Sequence, residues 1–243
     1  MNDFSLPDTT IDADEPKTLV EGAYRRLRRD IIEGVHRPGE KLRVEHLKDR
    51  YEVGAGTLRE ALQLLVTDAL VVAQGQRGFR VASISLDDFA DITNTRVLIE
   101  TEALRQSIRL GDDAWEARVL GAFHLLTKAE DKLGEAADAA PNEWEVRNRV
   151  FHEVLISASP SRWLRHFQTI LYHQSERYRR LSLFKQTIPR TISRDIHAEH
   201  QAILDTTLAR QETEACRLLG DHISRTLEAL RRLPPDELNN GGL

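Results

Sequence analysis

The chain has 243 residues, 40% of them hydrophobic and 30% charged, with a formal net charge of −5; that length suits one unit of about 65 residues and another of roughly 150, each able to bury a core. Its one cysteine, Cys216, excludes an internal disulfide and fits a reducing cytoplasm. There is no basic, apolar leader, and no apolar run approaches the roughly 20 residues that span a bilayer, so a soluble cytoplasmic protein with no membrane partner is expected.

Residues 1–16 carry five acidic and no basic side chains, which predicts a flexible acidic N-terminus. Residues 17–83 reverse the sign, with thirteen basic against nine acidic residues. A basic module on an otherwise acidic chain is what DNA binding by one segment produces, because phosphate neutralisation supplies most non-specific affinity. The first helix is predicted with Val20, Tyr24, Leu27 and Ile31 on its apolar face. That leaves Arg25, Arg26, Arg28 and Arg29 largely on the solvated side, where such a run can also be nothing more than a solvated face.

Two short amphipathic patterns follow, LRVEHLKDRY from Leu42 and TLREALQLLVTDAL from Thr57. Val44, Leu47 and Tyr51 repeat at helical spacing in the first, and Leu58, Ala61, Leu62 and Leu65 in the second. The break between them, Val53-Gly54-Ala55-Gly56-Thr57, offers glycines for unusual backbone angles and Thr57 as a cap. Arg59 then sits in the first turn of the second helix, off its apolar stripe, where a recognition helix presents side chains to the major groove or a phosphate. Val71-Val72-Ala73 reads as a strand, Gly75 and Gly78 bracket a turn tipped by Gln76 and Arg77, and Phe79-Arg80-Val81 returns. This is a winged helix-turn-helix, and Thr57, Arg59, Arg77, Gly78 and Arg80 are its candidate contacts to double-stranded DNA. The plainer alternative is a helix-turn-helix whose exposed arginines only aid solubility.

From Leu86 to about residue 233 the reading is all-α. Six or seven helices are separated by breaks at Gly111-Asp112-Asp113, near Ala140-Pro141-Asn142, at Ser159-Pro160-Ser161 and around Ile188-Pro189. Residues 234–243 form a tail rich in turn formers. The fold class is therefore mainly α, a winged helix-turn-helix followed by a helical bundle.

Polar residues lie within the apolar stripes of this bundle. Asn148 and His152 are four apart and share a helix face; His200 lies between Ile196 and Ile203, and His222 lies beside Leu218, Leu219 and Ile223. Three neutral imidazoles and an amide oxygen suit a divalent metal with open positions, zinc first, with nickel or manganese as alternatives. Taken singly, each histidine reads more readily as a hydrogen-bonded core or surface residue, and spacing alone does not bring the four together. Arg96 shares a face with Phe89, Ile92, Thr93, Ile99 and Ala103 and needs an anion. Glu100 one turn on can supply it, or a carboxylate effector held in the guanidinium fork. Arg177 and Tyr178, on a helix whose stripe reads Phe167, Ile170, Leu171 and Leu181, are candidates to line the same cavity.

His152-Glu153 also opens an HExxH-like pattern, which raises a metal-dependent hydrolase as the competing class. The fifth position is Ile156, so the second ligand of such a site is missing.

Pro38-Gly39-Glu40-Lys41-Leu42, Leu58-Arg59-Glu60-Ala61-Leu62 and Gly78-Phe79-Arg80-Val81 resemble the DNA-binding domain of GntR-type bacterial regulators. Arg96-x-x-x-Glu100, Asn148-x-x-Phe151-His152, Glu199-His200-x-x-Ile203 and Asp221-His222-Ile223 resemble its FadR subgroup, with an FCD effector domain. The likeness runs from Lys17 to Arg232. It implies a homodimer on a palindromic operator, usually a repressor, released by a small organic acid such as the short dicarboxylates glutarate or 2-hydroxyglutarate. It also implies that His152, His200 and His222 ligate a divalent metal. Two positions depart from the family: Asn148 stands where aspartate is frequent, and Gly54-Ala55 stand where Ser-Arg often precedes the recognition helix.

Overall fold

The computed structural model describes residues 16–75, 78–133, 140–184 and 195–232, and the chain divides into two units, 1–83 and 84–243. In the first unit, α1 (Leu19–Ile32) begins where Thr18 accepts a hydrogen bond from the Glu21 amide at 3.1 Å, an N-cap that satisfies one otherwise orphaned donor. It turns Ala23, Leu27, Ile31 and Ile32 inward. β1 (Lys41–Leu42), α2 (Val44–Tyr51), α3 (Ala55–Thr67), β2 (Val71–Ala73) and β3 (Phe79–Val81) follow.

The sheet has the order β1-β3-β2, all antiparallel, with Lys41 opposite Arg80 and Val72 opposite the same residue on the other side. The hairpin β2–β3 has the bounds expected from its residues. β1 departs from expectation: Leu42, the first residue of the expected helical pattern, instead pairs with the wing beside Lys41 and is buried. Gly75 and Gly78 both adopt positive φ, at 56° and 86°, the left-handed region that the turn requires and only glycine enters freely.

The turn between α2 and α3 differs from expectation in its chemistry. Its left-handed residue is Glu52, at φ 56°, whereas Gly54 caps α3 with an ordinary extended backbone, φ −66° and ψ 155°. Thr57 is not a cap at all. It is the third residue of α3, because the helix starts at Ala55, three residues earlier than a cap at Thr57 would place it.

In the second unit six helices are described: α4 (Leu86–Leu110), α5 (Asp113–Leu133), α6 (Ala140–Leu155), α7 (Arg162–Phe184), α8 (Ile196–Leu208) and α9 (Glu212–Arg231). Ser85 and Asp195 cap α4 and α8 through the amides of Asp88 and Ala198. Leu104, Trp115, Val119, Leu126, Phe151, Leu155, Ile203 and Leu219 fill the core. The Trp115 indole N–H, which a fully apolar pocket would leave unpaired, donates to the Val154 carbonyl at 3.0 Å. Gly220 lets α9 lie close against α4, since a Cβ there would stand 3.3 Å from Val97 Cγ1. Among the described residues no helix is long and apolar enough to cross a membrane.

One helix is turned over relative to the sequence reading. Phe167 and Ile170 of α7, taken as core positions, are 45% and 41% exposed, and Trp163 is 55% exposed beside them. The buried face of α7 is polar: Gln168, Tyr172, Ser175 and Arg179 fall within a narrow arc at a helical repeat of 3.6. Leu181 lies where no side chain is described.

Candidate regulatory sites

In the first unit α3 buries Leu58, Ala61, Leu62 and Leu65 and exposes Arg59, Glu60 and Gln63. Arg59 makes no hydrogen bond or ion pair with the described residues, so its guanidinium is available on the outer face of the helix. Arg80 is otherwise engaged: it donates to the Gly39 carbonyl, tying the Pro38-Gly39 turn to β3. Arg77 lies outside the described residues, and Gly78 serves the turn through its backbone. The α1 arginines are also less free than their run suggested. Arg25 pairs with Glu21 at 2.5 Å, and Arg26 donates to the Tyr51 carbonyl at 3.0 Å with its guanidinium 5.2 Å from the Tyr51 ring centroid.

In the second unit His152 of α6, His200 of α8 and His222 of α9 converge, each offering a ring nitrogen within 4.8 Å of the others. All three are buried. Each Nδ1 faces a carboxylate: Glu100 at 3.3 Å from His152, Glu130 at 2.7 Å from His200 and Glu199 at 2.8 Å from His222. With Nδ1–H donated outward, the Nε2 lone pairs are the ones left to face the centre, and the carboxylates fix both tautomer and ring direction. Sequence reasoning found the histidines but gave none of these carboxylates that role. Glu130 bridges His200 and the exposed His197, which it meets at 2.8 Å.

Whether the residues suit a metal is decided by two orphaned atoms. His200 Nε2 and Asn148 Oδ1 are both buried with no hydrogen-bond partner, a costly state for polar atoms unless something binds them. Asn148 spends its amide N–H on the Tyr172 hydroxyl at 2.6 Å, and that ring lies 5.9 Å from the His152 ring. The donor set fits a divalent ion, which His152, His200, His222 and Asn148 would hold; bound there, it would supply a Lewis-acid centre for an anionic ligand.

Burial pushes the His152 imidazole down to about 4, with the nearby His200 and Arg96 adding to it against the pull of Glu100. Burial acts oppositely on Glu100, but Arg96 and His152 overcome it and hold that carboxyl down at about 2.

Arg96 adjoins this centre through Glu100. Its Nε donates to Glu100 Oε1 at 2.7 Å and one terminal nitrogen donates to Ser175 Oγ at 3.0 Å, so the in-helix partner proposed from sequence is real. Its other terminal nitrogen has no partner among the described residues. Tyr178 stacks on Phe89, ring centroids 4.2 Å apart, and donates to Asp88 at 3.4 Å. Arg177 is buried two residues from Ser175, about 200° around the helix from it. The arginine of α7 that joins the Arg96 group is Arg179, which was not anticipated. It bonds Ser175 and Glu145, and its guanidinium lies 3.8 Å from the Tyr172 ring centroid.

A basic helix-turn-helix with a wing, and a helical bundle with a buried polar centre, define a ligand-responsive DNA-binding regulator. Residues 19–81 match the family model for bacterial regulatory proteins of the gntR family, and residues 91–225 match that of the FCD domain. The chain belongs to the GntR family of transcriptional regulators, with an FCD effector domain. It is 45% identical over 216 residues to an uncharacterized HTH-type transcriptional regulator, BphR, of Paraburkholderia xenovorans strain LB400, covering 89% of this chain and 86% of the relative. It is 36% identical over 206 residues to the HTH-type transcriptional repressor GlaR of Escherichia coli K12, covering 85% and 92%. The fold is also that of a putative GntR regulator from Rhodococcus sp. RHA1, with TM-score 0.67, 21% identity and coverage of 88% and 99%. Family and relatives are regulators and not enzymes. Glu153, which a hydrolase would need as its base, pairs with Arg149 at 3.9 Å, and the carboxylates that meet the histidines are others.

Proposed function

We propose that this regulator is a cytoplasmic homodimeric repressor released from its operator by a small organic acid bound at a metal-containing pocket in the helical bundle. The observation that carries the reading is the shared carboxylate of Glu100, which places a buried arginine with an uncommitted nitrogen beside three oriented imidazoles. A carboxylate satisfies both, as a ligand to the ion and as an acceptor for the guanidinium fork. Zinc suits three imidazoles and an amide oxygen, with nickel or manganese as alternatives. The neutral Asn148 leaves the ion's charge uncompensated by its direct ligands, which favours an anionic effector such as a short dicarboxylate, glutarate or 2-hydroxyglutarate among them.

On the DNA side Arg59 is the residue assigned to the major groove, with Arg77 and Gly78 at the wing. Arg80 supports the wing from the Gly39 carbonyl, and Thr57, in the first turn of α3, is a further candidate contact to DNA. One α3 covers only a few base pairs, so two protomers on a palindrome are what specific affinity requires. The acid acts by binding more tightly to the dimer geometry whose recognition helices no longer match successive major grooves, since equal affinity for both geometries shifts nothing.

The test is fluorescence anisotropy of the protein on its own upstream DNA at fixed salt, with C4 to C6 dicarboxylates added. Specific binding relieved by one acid is expected. Binding that no acid relieves, in protein shown to contain metal, refutes the effector reading.

A further inference from the structure

We propose that Gln168 and Tyr172 of α7 determine which acid the bundle accepts, by donating hydrogen bonds to an oxygen-bearing second end of a small carboxylic acid. This deepens the function proposed above and rests on it. Gln168 is 1% exposed, and its amide nitrogen has no hydrogen-bond partner. Tyr172 is 2% exposed, and its hydroxyl accepts from Asn148 while its own proton meets no acceptor among the described residues. Two buried, unspent donors on one helix face are costly unless an acceptor arrives.

Their direction follows from register. Arg179 meets Glu145, and Tyr172 meets Asn148, so α7 runs back along α6. Gln168, one turn before Tyr172, then falls level with His152, one turn beyond Asn148. The Tyr172 ring lies 5.9 Å from the His152 ring, so the face of α7 that carries both donors is turned toward the histidine centre.

Their chemistry separates them from Arg96. A guanidinium and an ion suit a carboxylate, whereas an amide and a neutral phenol suit a hydroxyl, a carbonyl or a second carboxylate. A ligand whose chain ends in a methyl group would leave both donors buried against carbon, the circumstance in which a site built to hydrogen-bond rejects an analogue most strongly. The ligand class is thus a short acid with oxygen at both ends.

The experiment is isothermal titration of the zinc-loaded full-length protein with acids paired by chain length: succinate and butyrate, glutarate and pentanoate, adipate and hexanoate. At least one dicarboxylate should bind wild type tenfold or more tightly than its monocarboxylate partner. Gln168→Met and Tyr172→Phe, with zinc content confirmed equal to wild type, should each erase about tenfold of that preference by weakening the dicarboxylate alone. Unchanged preference, or equal loss for both members of a pair, overturns the assignment. Wild type that binds zinc but no acid overturns the effector reading itself, so the wild-type data test that reading and the variants test this one.

Discussion

Oε2 of Glu100 lies 3.3 Å from Nδ1 of His152, while Oε1 of the same carboxylate accepts from Arg96 Nε at 2.7 Å. Glu100 is fully buried, so a single carboxylate compensates a guanidinium on one side and orients an imidazole on the other. With His152 held neutral by burial and Glu100 held ionised by Arg96, the pair meets at neutral pH as an N–H donor and a carboxylate acceptor. The groups assigned to the acid and to the ion are then coupled through one side chain, and a change at one is felt at the other.

Glu100→Gln keeps the shape and removes the charge. Zinc affinity should fall about ten- to a hundredfold, the usual cost of losing a partner that orients a ligating histidine. Apo-protein stability should fall by about 3–5 kcal/mol, because Arg96 is left as an uncompensated buried charge. Chelator competition measures the first and denaturant unfolding the second. Zinc affinity equal to wild type would remove Glu100 from any orienting role.

Arg59→Ala tests the other unit without touching this one. Arg59 is exposed and packs against nothing in the core, so the fold and acid binding should be unchanged. Affinity for the specific upstream DNA should drop by about 1–3 kcal/mol, as for a lost base-edge contact, with little change on random DNA. A uniform loss on both DNAs, with the salt slope reduced by about one, would make Arg59 a phosphate contact instead.

The two units were legible to different degrees. Leu58, Ala61, Leu62 and Leu65 announce α3 because each is apolar and buried, and the glycines of the wing mark a turn that demands positive φ. The bundle interior was harder, since apolar periodicity is a guide only where the interior is apolar. On α7 the rule points to Phe167 and Ile170, which are exposed, while the inward face carries Gln168, Tyr172, Ser175 and Arg179. The signal was present as polar residues at helical spacing, and it reads as a solvated face until long-range partners such as Glu145 and Asn148 are known. Glu100, Glu130 and Glu199 come from three different helices, and nothing in their local spacing marks them as partners of the histidines.

Tyr51 shows the same effect in the DNA-binding unit. Its ring fills the core as its position in the stripe suggests, but its hydroxyl donates to Asp30 at 2.6 Å and meets His36 Nε2 at 2.9 Å, while His36 Nδ1 meets Glu40 at 2.9 Å. Burial and the Asp30 carboxylate both raise the Tyr51 pKa, so the hydroxyl remains a donor. Tyr51→Phe keeps the ring and strands partly buried acceptors. It should cost about 1–3 kcal/mol and lower the transition at which the DNA-binding unit unfolds, leaving the zinc-dependent one in place. An unchanged denaturation profile would show that water replaces the hydroxyl without loss.

Cys216 provides a native probe of the bundle. Its thiol is 6% exposed, contacts the Thr101 carbonyl at 3.3 Å across the α4–α9 packing, and has its pKa raised by burial. Reaction with a thiol reagent needs an exposed thiolate, and the native state supplies neither exposure nor ionisation. Native protein at pH 7.5 should therefore react only as fast as α9 separates from α4, far more slowly than in denaturant. Zinc should slow it further, because an ion held by His152, His200 and His222 ties α9 to α6 and α8 and stabilises the closed state by mass action. The decisive comparison is the rate with and without zinc in wild type and in His222→Ala. Zinc protection that persists in the variant would mean that His222 does not join α9 to the ion.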